Sequence, residues 1–360
     1  MLDTKDTSIS KECVCPNCGG KTSFNPTKQV LECLYCNSVV DVDDKRTATE
    51  KSLEVLFKEA KVWNDTEVIK CNNCGCQEVV TKGQISTSCS FCGTNNIVKT
   101  SQIGGMKPHG VCPFNKTLND AKNITAEWVR KKKFAPNAFK RTAKSKDLKG
   151  VYSPAFTFDC RTLTTYSGRL GRTEYYTVRG IDGKSERKSR TVSFSISGNY
   201  QRTFDDFLVQ ASSNIPESTL DRLAPYPTGS SVEYNEKYLA GYTANTYSKD
   251  GRQTWAEGQR KMEARIEREI LNKYDHDRVY TFDAKTGYHN VAFKYLLLPV
   301  YVGHHTYKDK NYNFYINGST GKIDGKAPVS GWKILSLILG IIGSIGLIVL
   351  LVLLFSGVLG

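Results

Sequence analysis

Cys15-Pro-Asn-Cys18-Gly19 and Cys33-Leu-Tyr-Cys36-Asn37 return later in the chain as Cys71-Asn-Asn-Cys74-Gly75 and Cys89-Ser-Phe-Cys92-Gly93. Each cysteine of the second set lies 56 residues after its counterpart, and 14 residues separate the two pairs within a set. One module is therefore used twice. Two close thiolates on a tight turn, facing a second such turn across a short hairpin, supply the four soft ligands of a tetrahedral zinc ion. Glycine after the second cysteine of a pair lets the backbone turn its amides toward the sulfurs. Gly19, Gly75 and Gly93 stand there, and Asn37, which also tolerates a left-handed backbone, stands at the fourth. The expected ligands are Cys15, Cys18, Cys33 and Cys36 for one structural zinc and Cys71, Cys74, Cys89 and Cys92 for a second. Four thiolates leave no open position for catalysis.

Working outward, twelve cysteines in 360 residues would suit an oxidising compartment, but eight of them fall in CxxC pairs, the metal-binding pattern of a reducing one. The redox-motif alternative needs a βαβ context that the sequence lacks. Cys13 and Cys76 sit beside the quartets and could compete as ligands, but they break the repeat and read rather as small residues near the metal sites. Cys112 and Cys160 stand alone and read as partly buried thiols. Thr47-Ala-Thr-Glu50 has capping-box form and is expected to open a short helix with Leu53, Leu56, Phe57 and Ala60 on one face.

The net charge of +14 is uneven. Residues 1–104 carry −1, whereas residues 105–150 carry +9. After a linker at 101–118, a helix is expected over Thr117–Phe134, with Leu118, Ala121, Ile124, Trp128 and Val129 on one side. It ends in Arg130-Lys131-Lys132-Lys133, and Lys140, Arg141, Lys144, Lys146 and Lys149 follow. Solvated lysines at a helix C-terminus, contact with anionic lipid headgroups, and contact with nucleic-acid phosphates all fit this segment.

From Gly150 onward, runs rich in Thr, Tyr, Val and Phe (Val151–Phe158, Thr162–Tyr166, Glu174–Arg179, Arg190–Phe194) predict antiparallel strands separated at glycines, with a turn at Asp182-Gly183. Gly180-Ile-Asp-Gly183-Lys184-Ser185 has too short a spacing for a phosphate loop. Pro216-Glu-Ser-Thr-Leu and Pro225-Tyr-Pro-Thr-Gly read as turns and a short helix. Thr254-Trp-Ala-Glu257 predicts a cap for a helix to about Tyr274, with Trp255, Met262, Ile266 and Ile270 as its core stripe. Glu257–Lys261, Arg265–Glu269 and Glu269–Lys273 are expected pairs on its wet side. Val291–Val302 predicts a buried strand that Pro299 turns partly into an edge or bulge. A last hairpin is expected around Asn317-Gly318-Ser-Thr-Gly321. His304 and His305, adjacent on a strand, point to opposite faces and share no metal. No nucleophile elbow, HExxH, dinucleotide turn or Walker loop occurs at workable spacing, which favours a binding role over an enzyme.

Ile334–Phe355 is 22 residues without a charge. A helix of that length spans roughly 33 Å, enough for a hydrocarbon core of about 30 Å. Ser336, Gly340 and Ser344 give it one small face. Lys322, Lys326 and Lys333 precede it, so the positive-inside rule expects the body in the cytoplasm. The polar, acidic start Met1-Leu-Asp-Thr-Lys-Asp does not have the form of a secretory signal. The fold class is thus α+β. Zinc ribbons lie at 1–42 and 67–104, a linker helix at 43–66, and a mixed antiparallel-sheet and helix body at 105–330 with its basic segment at 130–149. A transmembrane anchor occupies 331–360.

The chain resembles a bacterial family of membrane-anchored double zinc-ribbon proteins, labelled as related to TFIIB-type ribbons or to primosomal replication factor Y. The resemblance rests on the two cysteine quartets and on Lys107-Pro-His-Gly-Val-Cys-Pro-Phe114. It continues through Leu148-Lys-Gly-Val-Tyr-Ser-Pro154, Phe158-Asp159, Tyr238-Leu-Ala-Gly-Tyr242, Leu298-Pro-Val300 and Asn317-Gly-Ser-Thr-Gly-Lys322. It covers nearly the whole chain and offers no catalytic residue to carry over. Such proteins are associated with SPFH-domain and phage-shock-type envelope-stress genes. The resemblance implies a tail-anchored cytoplasmic adaptor that recruits a soluble partner, an SPFH-domain protein, to the plasma membrane under envelope stress. The alternative is a membrane-tethered nucleic-acid-binding regulator, which the near-neutral ribbons disfavour.

Overall fold

The computed structural model describes residues 14–42, 46–58, 62–63, 67–73, 76–80, 89–91, 94, 97–100, 103–104, 106–142, 148–179, 184–308 and 310–355. The first ribbon is a three-stranded antiparallel sheet of β1 (Thr22–Asn25), β2 (Val30–Cys33) and β3 (Val39–Asp41). Then come β4 (Lys51–Ser52), α1 (Leu53–Lys58), β5 (Val62–Trp63), β6 (Glu67–Cys71), β7 (Gln77–Val80), β8 (Ile97–Thr100) and β9 (Ile103–Gly104). The body follows with β10 (Gly110–Val111), α2 (Leu118–Lys131), α3 (Asn137–Thr142), β11 (Lys149–Arg179), β12 (Ser185–Gln210) and α4 (Glu217–Leu223). It is completed by β13 (Val232–Glu233), β14 (Thr243–Asn245), α5 (Gly251–Leu271), β15 (Arg278–Tyr307), β16 (Lys310–Asn317), β17 (Ile323–Gly325) and α6 (Gly331–Phe355).

β11 is the spine of a mixed sheet. It pairs antiparallel with β12 on one side and β15 on the other over most of its 31 residues, and parallel with β14 at its start. The glycines expected to break this region into short strands lie inside it. Gly168 faces the Thr281 carbonyl so closely that a Cβ would sit 2.6 Å from it, and Gly171 lies under the Tyr280 ring. These glycines make room for a neighbouring strand to cross and do not mark turns. The expected turn at Asp182-Gly183 lies outside the described residues; Arg179 pairs with Ser185 on either side of them.

Burial changes along the spine. Val151 to Phe158 are buried on both faces, whereas from Arg161 to Ser167 exposed and buried residues alternate. The buried side of the alternating part meets α5, whose Met262, Ile266 and Ile270 are fully buried with Tyr166, Leu170 and Phe204. The helix's core stripe is as expected, but its cap lies upstream. Asp250 Oδ1 accepts from the Gln253 amide at 2.8 Å, and Gln253 Oε1 accepts from the Asp250 amide at 3.0 Å. Thr254 instead bonds back to the Asp250 carbonyl, and Glu257 pairs with Lys249 at 2.6 Å. Glu257–Lys261 and Arg265–Glu269 form as expected, while Lys273 lies over the Tyr200 ring.

Other local expectations shift for similar reasons. Glu50 does not cap a helix; it reaches Lys294, and α1 begins only at Leu53. In α2, Thr117 and Asp120 form a reciprocal cap, and the helix stops at Lys131. The supposed linker before it is core: Met106, Val111, Cys112 and Phe114 are buried, and β10 pairs in parallel with β15. Pro299 sits in β15 between the end of β10 pairing at Leu297 and the start of β16 pairing at Val300. Its missing N–H therefore faces a gap in the ladder, the edge-like position proline requires.

Candidate metal centres

The first ribbon docks on the body through its hairpin and leaves its cysteine turns outward. Phe24 and Leu31 enter the core with Tyr238 and Phe114, and the Phe24 amide donates to the Ala240 carbonyl at 3.0 Å. At the other end, Cys15 and Cys36 bring their sulfurs within 3.6 Å, and Cys18 and Cys33 within 3.4 Å. All four sulfurs lie within 4.8 Å of one another. Zn–S bonds of about 2.3 Å at tetrahedral angles place sulfurs about 3.8 Å apart, so this group fits one zinc ion closely.

The surroundings favour thiolates. Gly19 and Asn37 both take positive φ, at 72° and 57°, which closes the two turns. The Tyr35 amide donates to Cys33 Sγ, and backbone amides of Cys36 and Tyr35 hold Cys33 below the usual thiol range. Ser38 Oγ lies 3.0 Å from Cys36 Sγ; that hydrogen bond and the Ser38 amide bring Cys36 down to about 6. The Gly20 amide favours a Cys18 thiolate, but bonds shared with Cys36 and Cys33 outweigh it and leave Cys18 holding the proton, at about 12. A divalent cation displaces such a shared proton when it binds.

The second module repeats the first in its backbone. Cys15 N donates to Gly20 O and Cys33 N to Ser38 O; 56 residues on, Cys71 N donates to Cys76 O and Cys89 N to Thr94 O. Tyr35 N points at Cys33 Sγ at 3.5 Å, and Phe91 N at Cys89 Sγ at 3.4 Å. Cys74 and Cys92 lie outside the described residues. Cys71 and Cys89 are buried at the expected places.

Two residues outside the repeated ligand set, Cys76 and Glu78, enter the second cluster. Cys76 corresponds to Gly20, where a Cβ would stand 3.3 Å from Cys18 Sγ. A side chain at that position is aimed at the sulfurs, and Cys76 Sγ indeed lies 3.2 Å from Cys89 Sγ. Glu78, on β7, approaches both at 3.7 and 3.8 Å, and Cys76, Glu78 and Cys89 form a metal-capable group among the described residues. Glu78 is almost wholly buried; burial raises its carboxyl, while the Ser90 amide and hydroxyl, each at 2.9 Å, hold it in place.

No protein-family model matches the chain, and no solved structure matches it. A protein of Bacillus subtilis (strain 168) named "Uncharacterized protein YdjG" is 26% identical over 332 residues, covering 91% of this chain and 93% of that protein. The likeness therefore extends over most of both chains.

The modules differ in what their knuckles touch. β7 pairs with β14, so the second ribbon continues the body sheet, and Phe91 is buried among Cys112, Val151 and Ala155. The matching residues of the first ribbon face solvent: Leu34 is 68% exposed and Tyr35 75%. His304 and His305 lie on β15, with the His305 ring against Phe139, and join no metal-capable group among the described residues.

Proposed function

We propose that this chain is a zinc-stabilised adaptor anchored in the plasma membrane by α6, and that the first ribbon's knuckle receives a soluble protein partner on the cytoplasmic side. The observation that carries it is the unequal use of a duplicated element. In the second module the residues between the cysteines, Ser90 and Phe91, are buried against the body. In the first, Leu34 and Tyr35 occupy the same two positions and, with Val39, stay exposed. The apolar knuckle that docks inward in one copy is offered outward in the other. Exposed apolar groups gathered on a rigid support mark an interaction surface.

Anchoring rests on α6, which is long and apolar enough to cross a membrane and is not buried anywhere along its apolar window. Its base is tied to the body: Ser330 N donates to Phe134 O at 2.8 Å, and Lys333 Nζ donates to Ala135 O and to Asn137 Oδ1, each at 2.8 Å. The preceding lysines support a cytoplasmic body. The resemblance in sequence suggests an SPFH-domain protein as the partner.

Deleting the ribbons is a poor test, because the second is part of the body sheet. Leu34→Ser/Tyr35→Ser in the full chain is better. Membrane recruitment of an SPFH-domain partner should fall to background, with the variant itself still in the membrane pellet and still loaded with zinc. Undiminished recruitment would remove the knuckle from the account.

A further inference from the structure

A cleft of about 430 Å³ lies where the end of α2 meets the segment leading into α6, lined by Lys131, Lys132, Lys133, Phe134, Pro328 and Val329. Its polar groups are cationic and its other walls are apolar. We propose that this cleft holds the phosphate of an anionic glycerophospholipid of the leaflet in which α6 is embedded; the inference rests on the anchoring reading above.

Position decides between occupants. The cleft closes on Val329, two residues before α6 begins at Gly331. A helix that enters the bilayer at Gly331 sets the cleft at headgroup level. Around its mouth Val329 is 62% exposed, Trp332 76% and Phe134 41%. Aromatic residues at that depth sit at the boundary between headgroups and acyl chains. A lipid would thus meet lysines at its phosphate and apolar side chains at its glycerol and first methylenes.

The local electrostatics permit an anion here. The C-terminal carbonyls of a helix ordinarily repel one. At the end of α2 one of them is covered, since Lys140 Nζ donates to Arg130 O at 3.2 Å, and just beyond the helix Lys333 Nζ lies 3.5 Å from Lys133 O. Lys132 is held over the Trp128 ring at 4.5 Å, which fixes its ammonium near the cleft. Lys131 pairs with Glu127 at 2.7 Å on an exposed face, a pair of the weak kind that a phosphate can share.

The test reconstitutes the full chain in vesicles of phosphatidylcholine mixed with phosphatidylglycerol, with a spin label on the acyl chain of one lipid or the other. Quenching of tryptophan fluorescence reports which lipid sits beside Trp332 and Trp128. Labelled phosphatidylglycerol should quench more strongly than labelled phosphatidylcholine. Lys131→Gln/Lys132→Gln/Lys133→Gln should reduce that preference by at least about five-fold, the effect of one basic residue near an anionic surface. Removing the same charges from the far hairpin (Lys184→Gln/Arg187→Gln/Lys188→Gln) should leave it unchanged. Equal quenching by both lipids, an equal loss in the hairpin variant, or displacement by millimolar inorganic phosphate would each overturn the cleft as a lipid site. Release of the protein by carbonate would instead overturn the anchoring reading on which it rests.

Discussion

Single residues carry most of the chemistry, and the four sulfurs of Cys15, Cys18, Cys33 and Cys36 carry the most. Purified full-length protein should hold two zinc ions, and Cys33→Ser should lose one of them, read by metal analysis. Loss of both would show that the sites are not independent centres, and loss of neither that Cys33 is not a required ligand. Elsewhere a buried ionic network surrounds Lys294, whose ammonium lies 2.7 Å from Asp206 and 3.3 Å from Glu50. Asp206 takes a positive φ of 47° at a bulge, and its amide donates to Asp159 Oδ1. Burial first, and then a hydrogen bond shared with Glu50, raise the Asp159 carboxyl to about 7. A carboxyl raised in the folded state keeps its proton longer there than in the unfolded chain. Its stabilising contribution is complete below the unfolded value of about 3.9 and drains away as the pH climbs to about 7. Asp159→Asn should therefore gain in melting temperature relative to wild type as the pH rises across that window; a pH-independent difference would assign the effect to packing. The CxxC spacing made the ligands legible in the sequence. Cys76 and Glu78 were not, because their approach to Cys89 depends on how the turn is folded. A glycine at position 20 matched by a cysteine at position 76 was the available signal.

Among elements, α5 shows what periodicity can and cannot supply. Its stripe of Trp255, Met262, Ile266 and Ile270 follows from 3.6-residue spacing, because a helix on a sheet must bury one face. Its cap does not follow, since two Ser/Thr/Asp-x-x-Glu/Gln windows compete and only backbone geometry chooses Asp250. Ile266→Ala should cost about 2–5 kcal/mol in denaturant unfolding, as truncation of a closely packed aliphatic side chain does. A cost under about 0.5 kcal/mol, the range of surface changes, would mean the helix is not seated on the strands. The strands were legible in composition but not in length. Glycine in a sequence signals a turn or a close crossing equally well, and Gly168 and Gly171 are crossings. The apolar residues at 106–118 were hidden by glycine and proline, although Val111, Cys112 and Phe114 lie in the centre of the fold.

Across the whole molecule, the ends of the described chain have different roles. The first ribbon is fastened by its hairpin and turns its knuckle outward; α6 is fastened by Lys333 and Ser330 and turns apolar side chains outward. The sheet built on β11 joins them. Which copy's knuckle is buried and which is exposed could not be read from two matching cysteine patterns, because that depends on β7 meeting β14. The most direct measurement places a photo-crosslinking amino acid at Tyr35 of the full chain and irradiates intact membranes that contain the proposed SPFH-domain partner. The account predicts an adduct with that partner in the carbonate-resistant membrane fraction, lost on zinc chelation and absent when the crosslinker replaces Phe91. An adduct that survives chelation, or none at Tyr35 while the partner still gathers at the membrane, would contradict it.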